Sequence, residues 1–89
     1  MPTSSESLVA LPATVDLHAR PAADFVRIAM GFSSDITVAA GERAADAKSL
    51  LAILGLGAKR GTTLRLTADG EDADAAIGAL CGCVANLSE

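Results

Sequence analysis

A chain of 89 residues has room for one domain and one modest core. Its net charge of −4, with no basic block and only Phe25 and Phe32 as aromatics, argues against nucleic acid as a partner. The lone histidine and the Cys81-x-Cys83 pair supply no zinc spacing and no disulfide framework. With polar opening residues and no apolar run long enough to span a bilayer, they point to a single cytoplasmic domain over residues 1–89 without metal, cofactor or membrane insertion.

Residues 1–6 read as flexible, and Leu8–Leu11 as a short first strand, apolar on both faces, that stops at Pro12. Pro21 lacks an N–H and has a helical φ, so it is welcome only in a helix's first turn; the helix therefore starts at Ala19 or Arg20. Up to Gly31 its apolar residues Ala22, Phe25, Val26, Ala29 and Met30 fall on one face, with Asp24 and Arg27 outside. Asp35–Ala40 alternates as a second strand, and Gly41-Glu42 turns the chain into a weak third strand, Arg43–Asp46.

Ser49 opens a short apolar helix that ends at Gly55 or Gly57. Thr62–Ala68 is the cleanest strand, with Leu64 and Leu66 inward, and Asp69-Gly70 turns it toward a last helix. Glu71, Asp72 and Asp74 crowd that helix start, where the dipole favours acids, and Ala73, Ala76, Ile77, Leu80, Val84 and Leu87 form its inner stripe. Gly78 and Gly82 fall outside the stripe, and the sequence offers no packing reason for them. Cys81 and Cys83, two apart on this helix, diverge by roughly 200° and do not bridge. The order β-α-β-β-α-β-α, with amphipathic helices and a half-polar best strand, predicts an α+β fold of two layers, one sheet covered on one face.

His18 stands where the irregular segment gives way to the first helix. The N–H groups of Ala19 and Arg20 there have no intrahelical partner, and the helix dipole adds partial positive charge, which together favour an anion. Arg20 brings a guanidinium whose planar fork matches phosphate oxygens. Such positive surroundings keep the imidazole unprotonated and nucleophilic, then stabilise a phosphoryl group once it arrives. On residue types alone, a surface histidine met by chance at a helix start fits equally well.

The short second helix has its own signal. Leu50, Leu51, Ile53, Leu54 and Leu56 are too many apolar side chains for one face of two turns, so some reach the surface unless loops cover them. Ser49 reads first as that helix's N-cap.

The segment Leu17-His18-Ala19-Arg20-Pro21-Ala22-Ala23-Asp24-Phe25-Val26 resembles the active-site signature of HPr, the histidine-containing phosphocarrier family of the bacterial sugar phosphotransferase system. Ala47-Lys48-Ser49-Leu50-Leu51-Ala52-Ile53-Leu54-Gly55-Leu56-Gly57 is similar to the same family's regulatory-serine segment. His18 and Ser49 stand 31 positions apart (49 − 18), as in the family, and the resemblance runs from about Ser7 to Leu87.

It implies an open-faced sandwich of four antiparallel strands under three helices. It further implies a phosphocarrier, not an independent enzyme, in which His18 accepts a phosphoryl group at Nδ1 with Arg20 and the backbone of Ala19 and Arg20 balancing its charge. The implied donor is phospho-enzyme I, the implied acceptors are sugar-specific IIA proteins, and the carrier is a monomer. Ser49 becomes a regulatory phosphorylation candidate for a serine kinase/phosphorylase. Leu50, Leu51 and Leu54, rimmed by Arg20, Arg27 and Lys48, become the partner face.

Three other readings stay open: a regulatory carrier of a nitrogen-related or dihydroxyacetone-kinase branch, an interaction module using only the Leu50–Leu54 face, and a stand-alone hydrolase or transferase, for which the sequence offers no second general base and no Gly-rich nucleotide loop. Asp16 departs from the pattern, standing where the family commonly has glycine. A carboxylate there favours the imidazolium, against the effect of Arg20, and repels an incoming phosphoryl group if turned inward.

Overall fold

The computed structural model describes residues 4–13, 16–17 and 19–87. The element order is β1 (Ser4–Ala10), α1 (Ala19–Ala29), β2 (Asp35–Ala40), β3 (Arg43–Asp46), α2 (Leu50–Gly55), β4 (Thr63–Asp69) and α3 (Ala73–Ala85). The four strands form one antiparallel sheet in the order β1-β4-β2-β3, with the three helices on one face, as expected.

Period-2 alternation decides which side chains meet the helices. Ile36, Val38, Leu64, Leu66 and Ala68 point inward and are buried, whereas Asp35, Thr37, Thr63 and Arg65 line the open face. The helices close over this floor with Ala22, Phe25, Val26 and Ala29 from α1, Ile53 from α2, and Ala73, Ala76, Ile77, Leu80 and Val84 from α3. Ala45 of β3 and Leu11, Leu17, Ala47, Leu56 and Ala58 from the connecting segments complete the core.

Three expectations change. β1 starts at Ser4, so Ser4–Glu6, expected to be flexible, pair with Ala68–Asp69 and Thr67 of β4, and Ser4 Oγ donates to Asp69 Oδ1. The segment lacks apolar residues, and its pairing comes from register with β4, which a search for apolar alternation does not detect. Met30 is 66% exposed, because α1 ends at Ala29 and the next residue leaves the helical stripe. Leu87 is only half-buried, lying beyond the end of α3.

Asp72 occupies the N-cap of α3 but makes no side-chain cap there. Its carboxylate instead reaches the α1–β2 loop. Oδ2 accepts the Ser33 N–H at 2.8 Å and its hydroxyl at 3.3 Å, while Oδ1 accepts the Ser34 N–H at 3.0 Å and the Ser34 hydroxyl. Four donors on one carboxylate favour its charged form, the Ser34 hydroxyl most, and lower its pKa from 3.8 to about 2.

Candidate functional site

His18 lies outside the described residues, but the framework on either side of it is defined. Leu17, immediately before it, is buried, and α1 begins at Ala19, immediately after it. Pro21 falls in the first turn, where its missing N–H costs nothing, and its ring is buried. Of the first three helical residues only Ala19 and Arg20 carry N–H groups, and helix geometry gives neither an acceptor within α1. Arg20 is exposed.

The segment leading to His18 is laced to the α2–β4 loop, residues 56–62. The Leu11 N–H donates to Thr62 O at 2.9 Å, Pro12 O accepts the Gly61 N–H at 3.3 Å, and the Leu17 N–H donates to Ala58 O at 2.9 Å. Asp16 adds a side-chain tie: its Oδ1 accepts the Arg60 backbone N–H at 2.6 Å and Arg60 Nε at 3.4 Å. Sequence reasoning missed Arg60 entirely. The signal in the sequence was Asp16 itself, a carboxylate two residues before His18.

Ser49 is the N-cap of α2. Its backbone is extended, at φ −113° and ψ 110°, and its Oγ accepts the Ala52 N–H at 3.2 Å. α2 buries Ile53 and presents Leu51 at 83% exposure, flanked by Leu50 at 39% and Leu54 at 37%. These leucines form an apolar surface on a helix that packs against α1.

The expected basic rim is less free than its residue types imply. Lys48 Nζ donates to Phe32 O at 2.7 Å, tying the start of α2 to the end of the α1 region. Arg27 pairs with Asp24 one turn earlier at 3.0 Å and stays mostly in water. Cys81 and Cys83 are free thiols, both partly buried. Burial, with Asp24 adding to it and Arg27 opposing, pushes the Cys83 thiol up, away from the reactive thiolate. Among the described residues no group of three or more His, Cys, Asp or Glu side chains could hold a metal ion. No helix of the described chain is long and apolar enough to cross a membrane.

A family profile described as "PTS HPr component phosphorylation site" matches residues 6–86. The chain belongs to the HPr family. It is 44% identical over 79 residues to the phosphocarrier protein HPr of Haemophilus influenzae, covering 89% of this chain and 93% of that one. It is 39% identical over 82 residues to the phosphocarrier protein NPr of Shewanella violacea, covering 92% and 90%.

Among solved structures, HPr-C-His from Thermoanaerobacter tengcongensis superposes with a TM-score of 0.87 at 38% identity, over 91% of both chains. The chain is thus an HPr-type phosphocarrier of the phosphotransferase system (PTS). The matched span includes both His18 and Ser49, the two residues the resemblance singled out.

Proposed function

We propose that His18 is the phosphoryl acceptor, taking the group from phospho-enzyme I and donating it to IIA proteins in phosphoenolpyruvate-dependent sugar uptake. One observation carries this reading: the chain's only histidine directly precedes the first turn of α1 inside the span matched by a phosphorylation-site profile. In the transfer, the lone pair on the His18 imidazole Nδ1 attacks phosphorus, the new P–N bond forms, and the bond to the donor's leaving group breaks. The reverse sequence passes the group on.

Such chemistry needs mainly positioning and charge stabilisation. The N–H groups of Ala19 and Arg20 and the exposed Arg20 guanidinium are suitably placed in the chain to balance the moving phosphoryl group. A group carried stoichiometrically between two proteins makes this a carrier and not an independent enzyme, working as a monomer in the cytoplasm. The exposed Leu50, Leu51 and Leu54 supply an apolar docking face for enzyme I and IIA, and Arg20, Arg27 and Lys48 are its basic residues, Arg27 paired with Asp24 and Lys48 held at Phe32 O. Phosphorylation of Ser49 by a serine kinase/phosphorylase would put about two negative charges beside that face and displace its cap on Ala52.

The test is to incubate the protein with phosphoenolpyruvate and enzyme I. A phosphate lost in acid, stable in base and absent from His18→Ala supports the reading; labelling that survives His18→Ala overturns it. The NPr relative supports a second reading, a carrier with the same acceptor serving a regulatory branch. A panel of phosphoryl acceptors separates the two.

A further inference from the structure

Asp16 brings a negative charge within two residues of the phosphoryl acceptor. Two peptide units hold their Cα atoms no more than about 7 Å apart. An uncompensated carboxylate this near in the chain opposes both things the site needs. It favours the imidazolium, which has no lone pair to give, and it repels the phosphoryl group that follows.

Among the described residues, Arg60 meets this charge. Arg60, in the α2–β4 loop and 44 positions away, gives Asp16 Oδ1 both its backbone N–H at 2.6 Å and its guanidinium Nε at 3.4 Å. The two donors have separable roles. The backbone N–H fixes where the carboxylate sits, and three further backbone bonds between residues 11–17 and 58–62 hold the same two loops together. The guanidinium adds a full positive charge, which the backbone bond cannot supply. Asp16 is half-buried and Arg60 exposed, so this pair contributes little to overall stability; its effect is on local charge.

We infer that Arg60 is a positioning residue for phosphoryl transfer, acting on His18 through Asp16: its guanidinium neutralises the carboxylate that stands two residues before the acceptor. The inference rests on His18 being the acceptor.

Variants of the two residues separate charge from anchorage. Arg60→Ala removes the cation but keeps the backbone N–H. Asp16→Asn removes the negative charge but keeps an oxygen for that N–H. The readouts are the rate of His18 phosphorylation by potassium phosphoramidate, which needs no partner protein, and the imidazole pKa, followed by NMR. That signal is unambiguous because the chain has a single histidine.

Arg60→Ala is expected to slow labelling roughly three- to tenfold and to raise the imidazole pKa by about half a unit, the size of one exposed charge within a Debye length. Arg60→Lys keeps most of the rate. Asp16→Asn/Arg60→Ala returns both readouts to the wild-type range. The inference is overturned if Arg60→Ala leaves rate and pKa unchanged. It is equally overturned if the double variant stays as slow as Arg60→Ala, since Arg60 would then act on its own. His18→Ala, run alongside, tests the acceptor separately: labelling that persists there removes the underlying reading, whatever the Arg60 variants do.

Discussion

Asp72 joins two loops that sequence alone leaves unrelated, and the chemistry of that junction is measurable. Its carboxylate gathers four donors from Ser33 and Ser34, holding its pKa near 2 against an ordinary 3.8. A depressed carboxylate pKa gives stability that is fully present above the unfolded-state value and is lost as pH falls through the folded one. The stability assigned to Asp72 therefore persists at neutral pH and drains away between about 4 and 2. Thermal midpoints measured across that range should fall less steeply for Asp72→Asn than for wild type; parallel curves would remove Asp72 from the acid response. Gly70 lies in the same junction, at φ +153°, where a Cβ would meet Ser34 Cα at 2.8 Å. Because the obstruction is backbone as well as side chain, Gly70→Ala should cost about 1–3 kcal/mol in a urea titration.

At the level of elements, α3 carries two glycines that nothing in the fold demands. Gly78 and Gly82 are exposed, and a Cβ on either would meet open space. Each should therefore stabilise the protein by about 0.5–1 kcal/mol when replaced by Ala, read as a raised denaturation midpoint at unchanged m-value. Ser49→Ala works the other way, leaving the Ala52 N–H without its cap and lowering stability by about 1 kcal/mol. That cap was legible in the sequence, because serine ahead of an apolar run is a local signal. So were β2 and β3, since alternation and the Gly41-Glu42 turn fix both strands from within their own residues. The start of β1 was not. Ser4, Ser5 and Glu6 carry no apolar pattern, and they are strand only because β4 runs beside them. Asp72 was read as an acid at a helix start for the same reason: its real partners lie 38 and 39 positions away.

Across the whole molecule, the same division between local and distant information separates the parts of the site. His18 and Arg20 stand out in one short motif at one helix start, whereas Arg60 meets Asp16 only when the loop at 56–62 folds against Leu11, Pro12, Asp16 and Leu17. The leucines of α2 are intermediate. Their excess over one helical face was readable, but which of them remain uncovered was decided by packing, which buries Ile53 and Leu56 and leaves Leu51 83% exposed. Leu51 is thus the residue at which the docking role proposed for α2 can be tested apart from folding and chemistry. Leu51→Glu removes little buried area and places an acid in the first turn of α2, where the dipole accepts it, so stability should stay within about 0.5 kcal/mol of wild type. Labelling by phosphoramidate should be unchanged, because that donor needs no protein surface. Labelling by phospho-enzyme I should need roughly tenfold or more of the donor to reach the same rate, since a charge would be buried at the centre of an apolar contact. An equal response to both donors would show that the α2 face takes no part in docking.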